Sequence, residues 1–352
     1  MKKVILTIAM TAVIMLTAKA QSHTHTVSND GSGGAQFTTF QAAMDASTNG
    51  DTILIEGTNI NYSVANLTKQ LVIIGMGFNP NKSNPRRAKL GSNQFQLHTV
   101  ANGSTFYGVE FTSTVIFFEG IANMDFEDCL FDLAFDCGNQ PANNFVFRNC
   151  IFLSSEQDVN FSTNSANNNI LFVSCVFNGR LEFNTNSAHS VTIDHCLFFG
   201  DNFHCLSSAR GQVIQNSIFM NTTDLTIGIN TADEHFNRNN TFTNNIGRLS
   251  IDPNPAGNTS SGNLHDVDPL FVSTGTSTYS FSSNYHLQLN SPAINAASDG
   301  SDIGPHGSTS HFSETGEVLI TPIIRSLNIN NTSVAPNGNL NVTIHATTPT
   351  DH

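Results

Sequence analysis

The sequence predicts an all-β solenoid, a parallel β-helix, on three observations. A phrase running aromatic or aliphatic, x, x, Asn/Asp/His, Cys or small, x, Phe recurs seven times between residues 111 and 242. Its anchors are Phe111, Phe131, Phe152, Phe177, Phe198, Phe219 and Phe242, spaced by 20, 21, 25, 21, 21 and 23 residues. A period near 21 with loop-like variation marks stacked coils, each contacting only its neighbours. Secondly, an apolar residue stands five before most anchors (Phe106, Phe126, Phe147, Phe172, Ile193, Ile214) and a Cys or small residue two before. Those positions do not share one alternating face, so the chain must bend between them. The bend falls to Asp128, Asn149, Ser174, His195, Asn216 and Asn239, residue types that make Asx-type turns. Thirdly, the connections are Asn, Gly and Ser turns with no helical stretch per repeat. Leucine-rich repeats share this period but need a Leu/Asn consensus that is absent, and propeller blades need about twice the period.

Taken in order, residues 1–20 read as a signal peptide. Lys2 and Lys3 give a positive start, Val4–Leu16 an apolar stretch, and Ala18-Lys19-Ala20 a cleavage site before Gln21. Residues 21–36 are a polar lead-in. Apolar residues at 37, 40, 43 and 44 give a short helix over Phe37–Ala46 that should cap the open end of the solenoid. Thr52–Ile55 and Leu71–Ile74 are the first strands, and the solenoid spans 37–316. Residues 317–352 read as a C-terminal β extension: Pro322–Ile329 and Leu340–Ile344 are two strands around Asn337-Gly338. They are similar to the opening of an immunoglobulin-like or sorting domain.

Composition narrows the partners. Without the leader, 11 basic residues face 27 acidic ones, a balance of −16. Nucleic acid is therefore excluded as a partner, because phosphate binding needs clustered Lys and Arg. A polyanionic glycan would need a bridging cation. No apolar run after the leader has the length of a membrane span. The expectation is an exported monomer, secreted, at the cell surface or in the periplasm. Cys129, Cys150, Cys175 and Cys196 each lie two residues before an anchor. In-phase cysteines on parallel strands have near-parallel Cα–Cβ vectors, which suits a reduced thiol ladder better than disulfides. Cys137 and Cys205 are off phase and unassigned.

Two stretches carry a resemblance. Phe40-Gln-Ala-Ala-Met-Asp-Ala with Asn49-Gly-Asp-Thr-Ile-Leu-Ile and Leu71-Val-Ile-Ile-Gly-Met-Gly resembles the start of right-handed parallel β-helix proteins of the pectin-lyase-like superfamily. Asp268-Pro-Leu-Phe-Val, Tyr285-His-Leu-Gln-Leu-Asn-Ser-Pro-Ala-Ile-Asn and Asp302-Ile-Gly-Pro resemble the closing coils of its exported members. The resemblance implies a right-handed solenoid and an extracellular polysaccharide partner. The superfamily holds lyases, hydrolases, esterases and binding proteins, so the reaction stays open.

Two constellations are candidate sites. Aligning the strands after the anchors places Asn160, Glu182, His204 and Gly228 in one outward row, with Asp158 and Arg180 two residues earlier. Asp158, Arg180, Glu182 and His204 would then form a lateral patch fit for acid–base work; charges paired across strands are the competing account. Secondly, Thr192-Ile193-Asp194-His195 is similar to the Trp-Ile-Asp-His stretch of pectate lyases, with Thr192 in place of Trp. That likeness implies Asp194 as a calcium ligand, with His195 beside it and Arg210 the one basic residue shortly downstream. The Asn-Thr-Asp, Asp-Asp and Gly-His-Gly motifs of polygalacturonase-like hydrolases are absent. With no complete catalytic set, the favoured reading is a polysaccharide-contacting protein. The alternatives are a polysaccharide lyase or glycoside hydrolase acting through the lateral face, and an adhesin or passenger-like module.

Overall fold

The structure is a computed structural model that describes residues 22–31, 34–78, 86–161, 167–183, 189–200, 205–220, 238–248, 257–274, 278–310, 312–314, 316, 323–330, 333–334 and 338–347. The signal-peptide reading and His204 lie outside those residues.

The middle coils each contribute one strand to each of three parallel sheets, which count eleven, eight and seven strands because the end coils do not supply all three. One coil shows the plan: Ile121–Glu127 in the eleven-stranded sheet, Leu130–Phe131 in the eight-stranded and Phe135–Asp136 in the seven-stranded. The result is a parallel β-solenoid, consistent with a right-handed β-helix.

Six of the seven anchors stand in register from Phe111 to Phe219 in the eight-stranded sheet. Their rings stack face to face, with centroids 4.9 Å apart for Phe111–Phe131 and 4.7 Å for Phe131–Phe152. The strand spacing of about 4.8 Å imposes that distance. A second column, Phe106, Phe126, Phe147 and Phe172, stacks at 4.8–5.0 Å from the eleven-stranded sheet. The two columns meet edge to face, as at Phe126–Phe131. Each such pair adds about 0.5–1.5 kcal/mol beyond its burial.

The seventh anchor is misplaced in the sequence reading. Phe242 pairs with Ile214, in the column five residues earlier, and Gly247 takes the place beside Phe219. The cause is local mimicry. Asn239 and Asn244 both adopt left-handed backbone (φ 56° and 51°), and Asn244 is the true bend of that coil. The other bends are as read: Asp128, Asn149, Ser174, His195 and Asn216 all have φ between 51° and 53°. Short polar side chains tolerate this region by bonding locally.

Cys129, Cys150, Cys175 and Cys196 are buried and unpaired. Each points its Sγ at a main-chain carbonyl of the preceding coil, Phe106, Phe126, Phe147 and Phe172 respectively. They form the single internal column that the phasing implies. Cys137 and Cys205 are also buried free thiols, next to strands of the seven-stranded sheet. Burial pushes the Cys137 thiol well up, and burial with the Asp158 charge takes Cys205 to about 12.

The ends differ from expectation. Thr24–Val27, inside the supposed lead-in, is the first strand of the eleven-stranded sheet, parallel to Thr52–Ile55. The helix runs Phe40–Ala46 between these two strands, with Thr39 as N-cap, its hydroxyl accepting from Ala42 N. Phe40, Ala43 and Met44 are buried in the core end. Leu264 adds a last parallel bridge beside Ile246, and the described residues between 268 and 312 add no further coil. They fold back over the outer face of the eight-stranded sheet. Phe271, Tyr285, Ala293, Ile303 and Phe312 form a second core with the outward Leu130, Ile151, Val176, Leu197, Ile218 and Ile246. Ile323–Ile329 and Val342–Thr347 pair as an antiparallel hairpin.

Candidate functional site

The lateral patch is assembled only in part. Glu182 pairs with Asn160 on one side and with Ser207, not His204, on the other. The gap from anchor to outward residue is uneven, because the joining loop varies from coil to coil. Asp158 does not join the outward row. A register shift between Gln157 and Val159 turns it inward, where it is fully buried and accepts from Gly179 N at 2.6 Å. Burial pushes its carboxyl well above the usual range, against the backbone N–H groups of Gly179, Ser154 and Asn178. What remains is an ion pair, Arg180 Nε to Glu182 Oε2 at 2.7 Å, with the Ser207 hydroxyl donating to Glu182 Oε1 at 3.1 Å. The charges pair along one strand, Arg180–Phe183, and only the Ser207 hydrogen bond crosses to the next coil.

Asp194 and His195 do touch. The imidazole Nδ1 lies 2.8 Å from Asp194 Oδ1 and Nε2 lies 3.0 Å from Ser301 Oγ. Burial raises the Asp194 carboxyl, but the hydrogen bond and charge of His195, with the amides of Asn216 and Gln215, outweigh it and hold the group below its usual range. This acid–imidazole–hydroxyl chain is a fastening. The Ser301 hydroxyl already donates to Asp299 Oδ1 at 2.5 Å, and His195 is 2% exposed. Ser301 belongs to a strap that runs back across the bends of successive coils. Asn244 Nδ2 donates to Ala296 O, Ser298 N to Asn216 Oδ1, Ser308 Oγ meets Ser174 Oγ, and Ser310 Oγ donates to Asn149 Oδ1. His195 is the strap's middle contact. Arg210 is not part of the group. It bridges Arg238 five residues ahead of Gln215, the partner of Asp194, with the turn at Gly211 between. Asp194 itself is met by His195, Asn216 and Gln215, and the Asp299 carboxylate joins the group through Ser301.

Two groupings escaped the sequence reading. One lies on the outward face of the eleven-stranded sheet. Arg148 Nη1 contacts both oxygens of Asp125 at 2.8 and 3.0 Å, and Glu127 stands in register with Arg148 and Tyr107. Burial pushes Glu127 up despite Arg148, and pushes the Tyr107 phenol up together with Glu127 and Asp125. The apolar Val146, Leu171 and Val213 share this face without being buried. The other sits at the edge of the covered sheet. Glu110 is 2% exposed, with Arg87 Nη1 2.7 Å from its Oε2, Lys89 beside it in register and Asp132 hydrogen-bonded to it from the next coil. Burial, then the Asp132 charge, push Glu110 up to about 7 against Arg87 and Lys89. Burial also raises Asp132, so the two carboxyls share a proton. The signal for this pair was legible. The residue before the anchor is Leu130, Ile151, Val176, Leu197 and Ile218 in the later coils, but Glu110 in the first.

Among solved structures, the chain is similar to pectate lyase Pel9A at 16% identity and a TM-score of 0.49, covering 81% of this chain and 96% of that one. No protein-family model and no curated protein matches. The likeness is one of β-helix to β-helix, and no residue role is carried over from it.

Proposed function

We propose that this chain is an exported β-helix protein that contacts extracellular polysaccharide along the outward face of its eleven-stranded sheet, without cleaving it. One observation carries the reading. The same coils bury one outward face beneath their own C-terminal segment and leave the other open, set with Tyr107, Asp125, Glu127, Arg148, Thr192 and Asp194 among unburied Val and Leu. Such a mixture suits a sugar chain, which offers hydroxyls at its rim and apolar C–H faces. Repetition every 4.8 Å or so suits an extended polymer. The face is net acidic, so the glycan is neutral or weakly charged; an acidic one would require a bridging cation.

The test is affinity electrophoresis of the mature protein against neutral and acidic polysaccharides, with and without calcium. Retardation by a neutral glycan is expected, weakened about tenfold by Arg148→Ala if one charged hydrogen bond is lost. New reducing ends, or the ultraviolet absorbance of an unsaturated uronate, would replace this reading with catalysis. A hydrolytic reading has one observation in its favour, the proton-sharing Glu110 and Asp132. Glycosidases hold their carboxyl groups about 5–9.5 Å apart around the sugar, and a hydrogen-bonded pair is closer than that. If reducing ends form, their loss in Glu110→Gln would assign them to this pair.

A further inference from the structure

A cluster in the C-terminal cover serves neither the solenoid core nor the open face. His286, His306 and Glu314 each offer one ligand atom, and these atoms lie within 4.8 Å of one another. The residues come from three separate segments: His286 from the strand Asn284–Leu287, His306 from the strap, and Glu314 from beyond Phe312. The two imidazoles stack with centroids 3.9 Å apart, and His306 Nε2 lies 3.8 Å from Glu314 Oε1. We propose that His286, His306 and Glu314 form a site for one divalent transition-metal ion of the zinc class, which clasps the end of the cover to its strand Asn284–Leu287.

The donor set selects the ion. Two imidazole nitrogens and a carboxylate oxygen suit zinc and its borderline neighbours, which take about 2.0–2.2 Å bonds and leave a fourth position to water. Calcium would want six to eight oxygens. To bind, the ligand atoms need to close by about 1 Å and the two stacked rings to turn so that their in-plane nitrogens converge on the ion, a rotamer change on a fixed frame. That frame is in place. Tyr285, next to His286, is 2% exposed, and Ile303 N donates to Ala293 O just ahead of His306. Phe312 packs edge-on against the His306 ring at 5.4 Å. The side chains of His306 and Glu314 keep 14% and 13% exposure, enough for an ion to enter. The proposal does not depend on the glycan reading.

The experiment uses the full chain, stripped with chelator and desalted, and zinc itself as the probe. Equilibrium dialysis against a zinc indicator should give one tight equivalent. Both His306→Ala and Glu314→Gln should remove it, and zinc should raise the melting temperature of the parent alone. Cobalt should give a visible ligand-field spectrum that Glu314→Gln shifts. A His23→Ala/His25→Ala variant, which alters the His-x-His at the start of the first strand, where His23 is exposed and His25 half-buried, should keep the equivalent. Circular dichroism separates a lost site from a lost fold, and the near-isosteric Glu314→Gln serves if His306→Ala does not fold. No stoichiometric zinc in the parent, or an equivalent that survives both Glu314→Gln and His306→Ala, would overturn the site. So would loss of the equivalent in the His23→Ala/His25→Ala variant alone.

Discussion

The outer face of the eight-stranded sheet and the outer face of the eleven-stranded sheet are made by the same coils, yet one is core and the other is surface. Ile218 and Val213 lie five residues apart in one coil; Ile218 is fully buried and Val213 is 36% exposed. The eight-stranded sheet presents Leu130, Ile151, Val176, Leu197, Ile218 and Ile246 outward, and these residues bring Phe271, Tyr285, Ala293, Ile303 and Phe312 down on top. Gly304 fits against Ile218 so closely that an added Cβ would sit 2.5 Å from Ile218 Cδ1. The eleven-stranded sheet presents charges at the matching height, and no second core forms there among the described residues. Strands buried on both faces read as continuous apolar runs, whereas half-exposed ones alternate. Cys-Leu-Phe, Cys-Ile-Phe and Cys-Val-Phe against Asp-Phe-Glu show the contrast within one repeat.

The largest effect belongs to the core that both faces share. Phe147→Ala removes a ring stacked on Phe126 and Phe172 and should cost about 3–5 kcal/mol in urea unfolding. Next comes the contrast itself. Leu197→Ala under the cover should cost about 2–5 kcal/mol, while Val213→Ala on the open face stays within about 0.5 kcal/mol. Equal costs at the two positions would dissolve the distinction.

Smaller is a pH effect at the margin of the covered face. Glu110 keeps its proton up to about 7 in the folded chain, against 4.5 when unfolded. Below 4.5 both states are protonated and nothing is lost. As pH rises from 4.5 to 7 the unfolded chain releases a proton that the folded chain retains, so stability falls, by at most about 3 kcal/mol. Glu110→Gln should flatten that part of the stability–pH curve, and an unchanged slope would refute the shared proton. The smallest effect is redox. Six buried free thiols predict that reductant leaves the melting temperature unchanged, and that a thiol reagent titrates six groups only after denaturation.

Legibility followed chain geometry. The columns of Phe131 and Phe152 and of Cys129 and Cys150 were readable because strand, bend and strand have fixed length between the second column and the anchor. The seven-stranded sheet was not, because the loop after the anchor varies. Phe152 to Asn160, Phe177 to Glu182 and Phe198 to Ser207 are unequal steps, so His204 was set where Ser207 stands. Asp158 was lost to a bulge that no composition signals. The bend position of His195 was legible, but its fastening to Ser301 joins residues 106 apart in sequence and shows only in three dimensions. Glu110 was visible as the odd residue in an apolar row and needed only the question of what lay outside that row.

The most direct test of the covered and open faces is the native-state alkylation rate of Val213→Cys and Ile218→Cys, introduced singly. The six native thiols are buried and give a silent background. Fast modification at position 213, with modification at 218 no faster than unfolding allows, is the predicted result. Comparable rates at both positions would mean that the C-terminal segment does not lie on the eight-stranded sheet.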